Sequence, residues 1–275
     1  MSAPGGASPA LAVGRAAVGT RPNGVVVDTL LVFRRAMRLS LRNPVWVIIG
    51  LIQPVLYLGL FGPLLRKLPL STSGHGGDNW RIFVPGLLVQ LGIFGSSFVG
   101  FGLIAEYRAG VIERMRVSPA SRTALLLGRV LRDVVVLVVQ ATILVAVAIP
   151  FGLRVSAVHA VAGVVMVAVL GASFSSLSYS AALRLKSEDA LAPLLNGIAV
   201  PLLLLSGILL PMTLAPGWLR GLSDANPIKH VVDGLRALFI PGGSDATVVW
   251  GVGIALALVG LGLLLGARTF RRESS

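Results

Sequence analysis

IFVPGLLVQLGIFGSSFVGFGLIA, residues 82–105, runs directly into EYRAGVIERMRVSP, residues 106–119. The first stretch holds no Lys, Arg, Asp or Glu and exceeds the about 20 apolar residues a helix needs to cross the hydrocarbon core of a bilayer. The second carries both signs of charge within one short segment. It is too polar to sit in lipid and too compact to form a soluble domain. Its size fits a short helix on the membrane surface, presenting Glu and Arg side chains to a partner. The fold is therefore expected to be helical and membrane-spanning.

The rest of the chain repeats the first pattern. Of 275 residues, 55% are hydrophobic and 13% charged, where a soluble domain is about a quarter charged. Six uncharged stretches are long enough to span: 45–65, 82–105, 134–153, 155–183, 190–212 and 246–267. The apolar character of the fifth continues to residue 219, and Pro201 and Pro211 predict a kink or a re-entrant end there. The expected class is an all-α integral membrane domain over 28–275. Residues 1–27 lack the apolar core of a signal peptide and are expected to form a disordered cytoplasmic tail.

A net charge of +13 would suggest nucleic acid in a soluble protein. Here the arginines flank apolar runs, so they act as topology signals and no nucleic-acid partner is expected. Basic residues concentrate at 34–42, 108–132, 184–186 and 268–272, against fewer at 66–81, 154 and 220–236. The positive-inside rule then puts both termini in the cytoplasm. Lysine occurs only at 67, 186 and 229 among many arginines, a pattern that suits a bacterial, GC-rich source.

Two further helices are expected at interfaces. Residues 28–43 place Arg34, Arg35, Arg38 and Arg42 on one face and Leu30, Leu31, Phe33, Met37 and Leu41 on apolar surface, as in a helix lying beside anionic lipid. On the outer side, Asn226-Pro227 is a helix start, and Ile228, Val231, Val232, Leu235 and Leu238 follow at helical spacing. Gly92, Gly95, Ser96, Gly100 and Gly102, and the Gly262-x-x-x-Gly266 motif, permit close helix approach.

Catalytic and ligand signatures are absent from the sequence. There is no phosphate-binding Gly-x-x-x-x-Gly-Lys-Ser/Thr and no His-Glu-x-x-His. His75, His159 and His230 are scattered, so no metal site is expected. Without cysteine there is no disulfide, thiolate metal site or thiol nucleophile. Carboxylates are missing from the span cores, with Glu106, Asp133, Glu188 and Asp189 at cytoplasmic ends. An ion-driven pump needs an ionisable group on its pathway, so the energy is expected to come from another polypeptide. Gln53, Gln90, Gln140, Asn196 and the serines of 173–180 are the polar groups left within the spans. Gln53, Gln90, Phe94, Phe98 and Asn196 are candidates for lining a pathway, and packing is the alternative for each.

Several motifs then converge. The spaced run Glu106, Gly110, Glu113, Arg114, Arg116 and Pro119, followed by Arg122 and Gly128-Arg129, resembles the cytoplasmic loop of ABC-2 type transporter permeases. Arg42-Asn43-Pro44 with Pro54, the 206–211 run SGILLP, Pro216-Gly217-Trp218-Leu219, Asn226-Pro227 and the 232–236 run VDGLR also fit in order. The resemblance is greatest to the daunorubicin/doxorubicin-resistance type of drug exporter, with lipid and oligosaccharide exporters next. It implies six spans, pairing with a second permease copy or a paralogue, and a separate ATPase subunit that holds ATP and Mg, with no cofactor on this chain. It makes 106–119 the coupling helix, with Glu106, Arg108, Gly110, Glu113, Arg114, Arg116 and Pro119 as docking candidates. It makes Gly207, Pro211, Pro227 and Asp233 parts of an outer re-entrant gate. The chain would then be a transport subunit and not itself an enzyme. The rivals are lipid or glycan export and, from another class, an ion-coupled secondary transporter.

Overall fold

A computed structural model describes residues 22–65, 78–110, 121–208, 212 and 215–272. Among the described residues there are ten helices and no strand: α1 (Pro22–Arg42), α2 (Val45–Leu65), α3 (Asp78–Ser97), α4 (Val99–Arg108), α5 (Arg122–Phe151), α6 (Ala157–Leu185), α7 (Glu188–Leu205), α8 (Gly217–Asp224), α9 (Pro227–Phe239) and α10 (Asp245–Arg272). Six passages have the length and composition to cross a membrane: α2, α3 with α4, α5, α6, α7 and α10. Runs such as VVVLVV at 134–139 would favour strands in water. In lipid the backbone must satisfy its own hydrogen bonds, and a helix does so within one segment.

Several element boundaries differ from the sequence expectations. α1 starts at Pro22 rather than residue 28, so part of the expected disordered tail is helical. α5 starts at Arg122, well before residue 134, because Ser121 caps it: the Ser121 hydroxyl accepts from the Ala124 amide at 3.2 Å. The α5 helix ends at Phe151, and Gly152 turns the chain at φ 123°, a conformation only glycine adopts freely. α7 ends at Leu205, short of residue 212. The second passage is two helices, with a break at Phe98.

α6 is the central element, packed against α3, α4, α5, α7, α9 and α10. Its buried face is built from small residues, including Gly171, Ala172, Ser173, Ser175, Ser176 and Ser178, which let neighbouring backbones come close. Ser176 and Ser180 donate back to the Ala172 and Ser176 carbonyls of their own helix, at 2.8 and 2.7 Å, so their hydroxyls are not stranded. Ser178 instead serves the break between α3 and α4. Its hydroxyl donates to the Ser97 carbonyl and accepts from the Gly100 amide at 3.0 Å. A Cβ on Gly100 would lie 2.7 Å from that hydroxyl.

One apolar cluster fills the end of the bundle that holds α8 and α9, including Trp80, Leu87, Leu144, Leu170, Val231 and Leu235. A smaller one lies at the opposite end, around Leu103, Ile104, Leu126, Tyr179, Leu183 and Phe270. α1 packs along the first turns of α5, where Gly128 faces Val32 and the Thr29 carbonyl. Among the spans, α2 and α7 lie at the periphery, with most of their side chains facing away from the chain.

Candidate functional site

Segment 111–120 contains Glu113, Arg114, Arg116 and Pro119, which lie outside the described residues, as does Pro211. The residues flanking that segment are described. α4 closes with the Ala109 amide on the Ala105 carbonyl, then turns out of the helix at Gly110, φ +67°. That left-handed position is where glycine ends helices. Beyond the segment, the Ser121 amide donates to the Asp28 carboxylate of α1 at 3.1 Å. Both flanks are thus held by specific contacts.

Charged side chains tie this end together. Arg129 of α5 is paired with Glu106 of α4. Arg108 of α4 reaches Glu188 in the first turn of α7 at 3.4 Å, where a carboxylate also suits the helix dipole. The Lys186 ammonium sits 5.6 Å over the Tyr107 ring. One turn beyond Arg129, Asp133 is buried and paired with Arg132 at 3.1 Å, and the Tyr179 hydroxyl of α6 donates to it at 2.6 Å. Glu106 and Arg108 therefore have partners within this chain. They brace α4 against α5 and α7 beside the segment that carries Glu113. Asp133 and Tyr179 were not among the sequence candidates, because no local motif links positions that far apart.

The candidate pathway residues do not converge. Gln90 is buried within α3. Gln53 faces outward from α2 with its amide 3.3 Å from the Tyr57 hydroxyl, and Asn196 faces outward from α7, bonded to its own helix at the Ala192 carbonyl, 3.1 Å. Phe94 and Phe98 stack with centroids 6.0 Å apart, and Phe101 continues the stack at 5.9 Å. These half-buried rings form a stair along the break in the second passage. Gln140 of α5 does bridge spans, its amide donating to the Val47 carbonyl of α2 at 2.9 Å.

At the opposite end the early stop of α7 leaves carbonyls without helical donors. Three of them are met by side chains. Ser206 donates to Leu203 at 2.6 Å, Ser223 to Leu205 at 2.6 Å and Asn226 to Leu202 at 2.7 Å. The same Asn226 caps α9 by accepting from the Ile228 amide at 3.0 Å, with Pro227 in the first turn. Gly207 turns at φ +71°, and its carbonyl has no i+4 donor because residue 211 is proline. Arg236 takes it at 2.7 Å and the Ile208 carbonyl at 3.2 Å, while its Nε donates to Ile82 of α3 at 3.1 Å. Burial lowers the Arg236 pKa to about 10, opposed by nearby Asp233, so it remains a cation at neutral pH. Burial raises the half-buried Asp233 carboxyl above the usual range, opposed first by Arg236. In the sequence Arg236 is one basic residue of the 220–236 stretch and the end of the VDGLR run. The signal was its place on the apolar face of α9, one turn from Val232 and Phe239.

Among the described residues no three His, Asp or Glu side chains gather as a metal site would need. A bundle of six membrane-crossing helices, ion-paired at one end and with a side-chain-capped broken helix at the other, defines a polytopic helical membrane protein. Residues 28–240 match the family described as ABC-2 type transporter, and the chain belongs to that family of transport permeases. It is 25% identical over 256 residues to the daunorubicin resistance ABC transporter permease protein DrrB1 of Streptomyces coeruleorubidus, covering 91% of this chain and 88% of that one. It is 23% identical over 240 residues to the doxorubicin resistance ABC transporter permease protein DrrC of Mycobacterium tuberculosis, covering 84% and 85%. It is also 27% identical over 220 residues to the inner membrane transport permease YadH of Escherichia coli K12, covering 76% and 82%.

Proposed function

We propose that this chain is the membrane half of an ATP-driven exporter in a bacterial cytoplasmic membrane, with both termini inside. It works beside a separate ATPase subunit and a second copy of itself, and carries a lipophilic drug or natural product outward. The observation that most supports this is the braced frame around segment 111–120. Two ion pairs, Glu106 with Arg129 and Arg108 with Glu188, join three helices beside it. Force applied to Glu113, Arg114 and Arg116 by a docked ATPase would then move helices as a unit, because packed elements transmit shifts with little compression. α1 adds a fixed edge to the frame. One of its faces packs on α5, and the exposed face carries Arg34, Arg35, Arg38 and Arg42 interleaved with Leu30, Leu31 and Leu41, an arrangement suited to the anionic inner leaflet.

The Phe94, Phe98 and Phe101 stair supports a flat aromatic cargo, since stacked rings offer faces for a further ring. The names of the drug-resistance relatives point the same way. Lipid or glycan export is the alternative cargo reading.

The test is recovery of the tagged chain from its native membranes in mild detergent, with partners identified by mass spectrometry. A co-purifying ATPase with a phosphate-binding loop, lost on Glu113→Lys while the permease keeps its abundance, is the expected result. Drug export that persists at normal rate in Glu113→Lys would remove the coupling role. Transport by the purified chain alone, driven by an ion gradient, would replace the proposal with secondary transport.

A further inference from the structure

Arg236 is a buried cation that joins three elements. It projects from α9, which is anchored in the bundle: Gly234 lies against Gly251 of α10, and Phe239 against Gly163 of α6. Its Nε holds the Ile82 carbonyl at the start of α3, and its Nη2 holds Gly207 and Ile208 just past the end of α7. α3 and the 207–208 backbone also touch directly. A Cβ on Gly86 would lie 2.4 Å from the Ile208 carbonyl. The two spans therefore meet at this end with one guanidinium across the seam.

We infer that Arg236 is the latch of the outer gate, clasping the outer ends of α3 and α7 while the gate is shut, and that Asp233 is the acceptor to which it transfers when they part. The geometry explains why a transfer is needed. Parting the spans takes the guanidinium off the Ile82 carbonyl, off Gly207 and Ile208, or off both. Leaving a buried charge without acceptors is among the costliest changes a packed protein can undergo, so a latch without a second partner would stay shut. Asp233 is one turn earlier on the same helix. Its carboxylate is 4.0 Å from Nη1, too far for a good hydrogen bond and near enough for a side-chain rotation to make one. Positions i and i+3 share a helix face, so the swap requires no movement of α9. Arg236 and Asp233 are thus positioning residues for the gate, with two alternative sets of bonds.

The inference deepens the export reading, which supplies the names inner and outer, but its test does not need the ATPase. The chain has no cysteine, so Ile208→Cys introduces a single thiol at a site only 1% exposed. The chain is placed in sealed vesicles without nucleotide, and a membrane-impermeant maleimide is added to either side. Slow labelling is expected, only from the side opposite segment 111–120. Arg236→Lys keeps the charge but cannot span both spans' carbonyls, and it is expected to speed labelling by about tenfold or more, as loss of charged hydrogen bonds implies. A thiol at Leu144, buried elsewhere in the same core, must stay protected in that variant. An unchanged rate at residue 208, or equal exposure of residue 144, overturns the latch.

Asp233→Asn covers the case in which Arg236→Lys does not fold, because residue 233 is partly exposed. It leaves the closed set of bonds intact and weakens the open set, so labelling at residue 208 should fall below the parent rate. A rate equal to or above the parent overturns the transfer. Failure of the ATPase pull-down with these rates as expected would sink the export reading and leave the latch standing.

Discussion

Asp133 lies in the first half of α5. It is the last ionisable residue before the uncharged stretch that begins at 134, and by position it resembles any charge at a span's end. In the folded chain it is buried, with Arg132 on one oxygen and the Tyr179 hydroxyl on the other. A hydrogen bond to a carboxylate typically contributes about 1.5–3 kcal/mol. Tyr179→Phe is therefore expected to lower stability by about that amount with little change in packing, measured as thermal unfolding in detergent. Arg129→Gln should cost less, because its partner Glu106 is about a third exposed and water can replace the bond. An equal loss from both variants would mean that the Tyr179 contact is not the stronger support.

Among elements, the second passage is the informative one. The 82–105 run looked like one continuous span, yet it divides at Phe98, where Ser178 of α6 bonds to backbone on both sides of the break. Gly100 and Gly102 are indistinguishable by composition. A Cβ at residue 100 would press on the Ser178 hydroxyl and carbonyl, whereas at residue 102 it would have no neighbour within 4 Å. Gly102→Ala is expected to stabilise by about 0.5–1 kcal/mol through helix propensity. Gly100→Ala should destabilise by about 1–3 kcal/mol through overpacking. Paired thermal melts decide the matter, and the same sign for both substitutions would contradict the packing at the break.

At the scale of the whole molecule, the outward surfaces differ in kind. Between residues 249 and 265, α10 exposes Val249, Trp250, Leu256, Leu261 and Leu264 and no charged or amide side chain, as a lipid-facing helix would. α2 and α7 expose Gln53 and Asn196 among their apolar residues, and amides at membrane depth call for protein or water beside them. The proposed second copy of the chain is thus expected to pack against α2 or α7. Gly197 of α7 has open space where its side chain would be. Oxidation of Gly197→Cys in native membranes should yield a cross-linked dimer, while Gly253→Cys on α10, equally open, should not. Cross-linking through residue 253 alone would move the interface to α10.

The sequence by itself determined that this is a helical membrane protein with six crossings, and the order of its motifs already resembled the family to which it belongs. Both follow from properties that act locally: an uncharged run of sufficient length, and turn residues such as Asn226 and Pro227 at an element's start. Only the tertiary structure decided where the passages break and which charges are occupied. Ser178 is far in sequence from the Ser97 carbonyl it caps, as Arg236 is from Ile82 and Tyr179 from Asp133. A buried polar group must find its partner wherever the fold places one, and no local pattern encodes a partner on another helix.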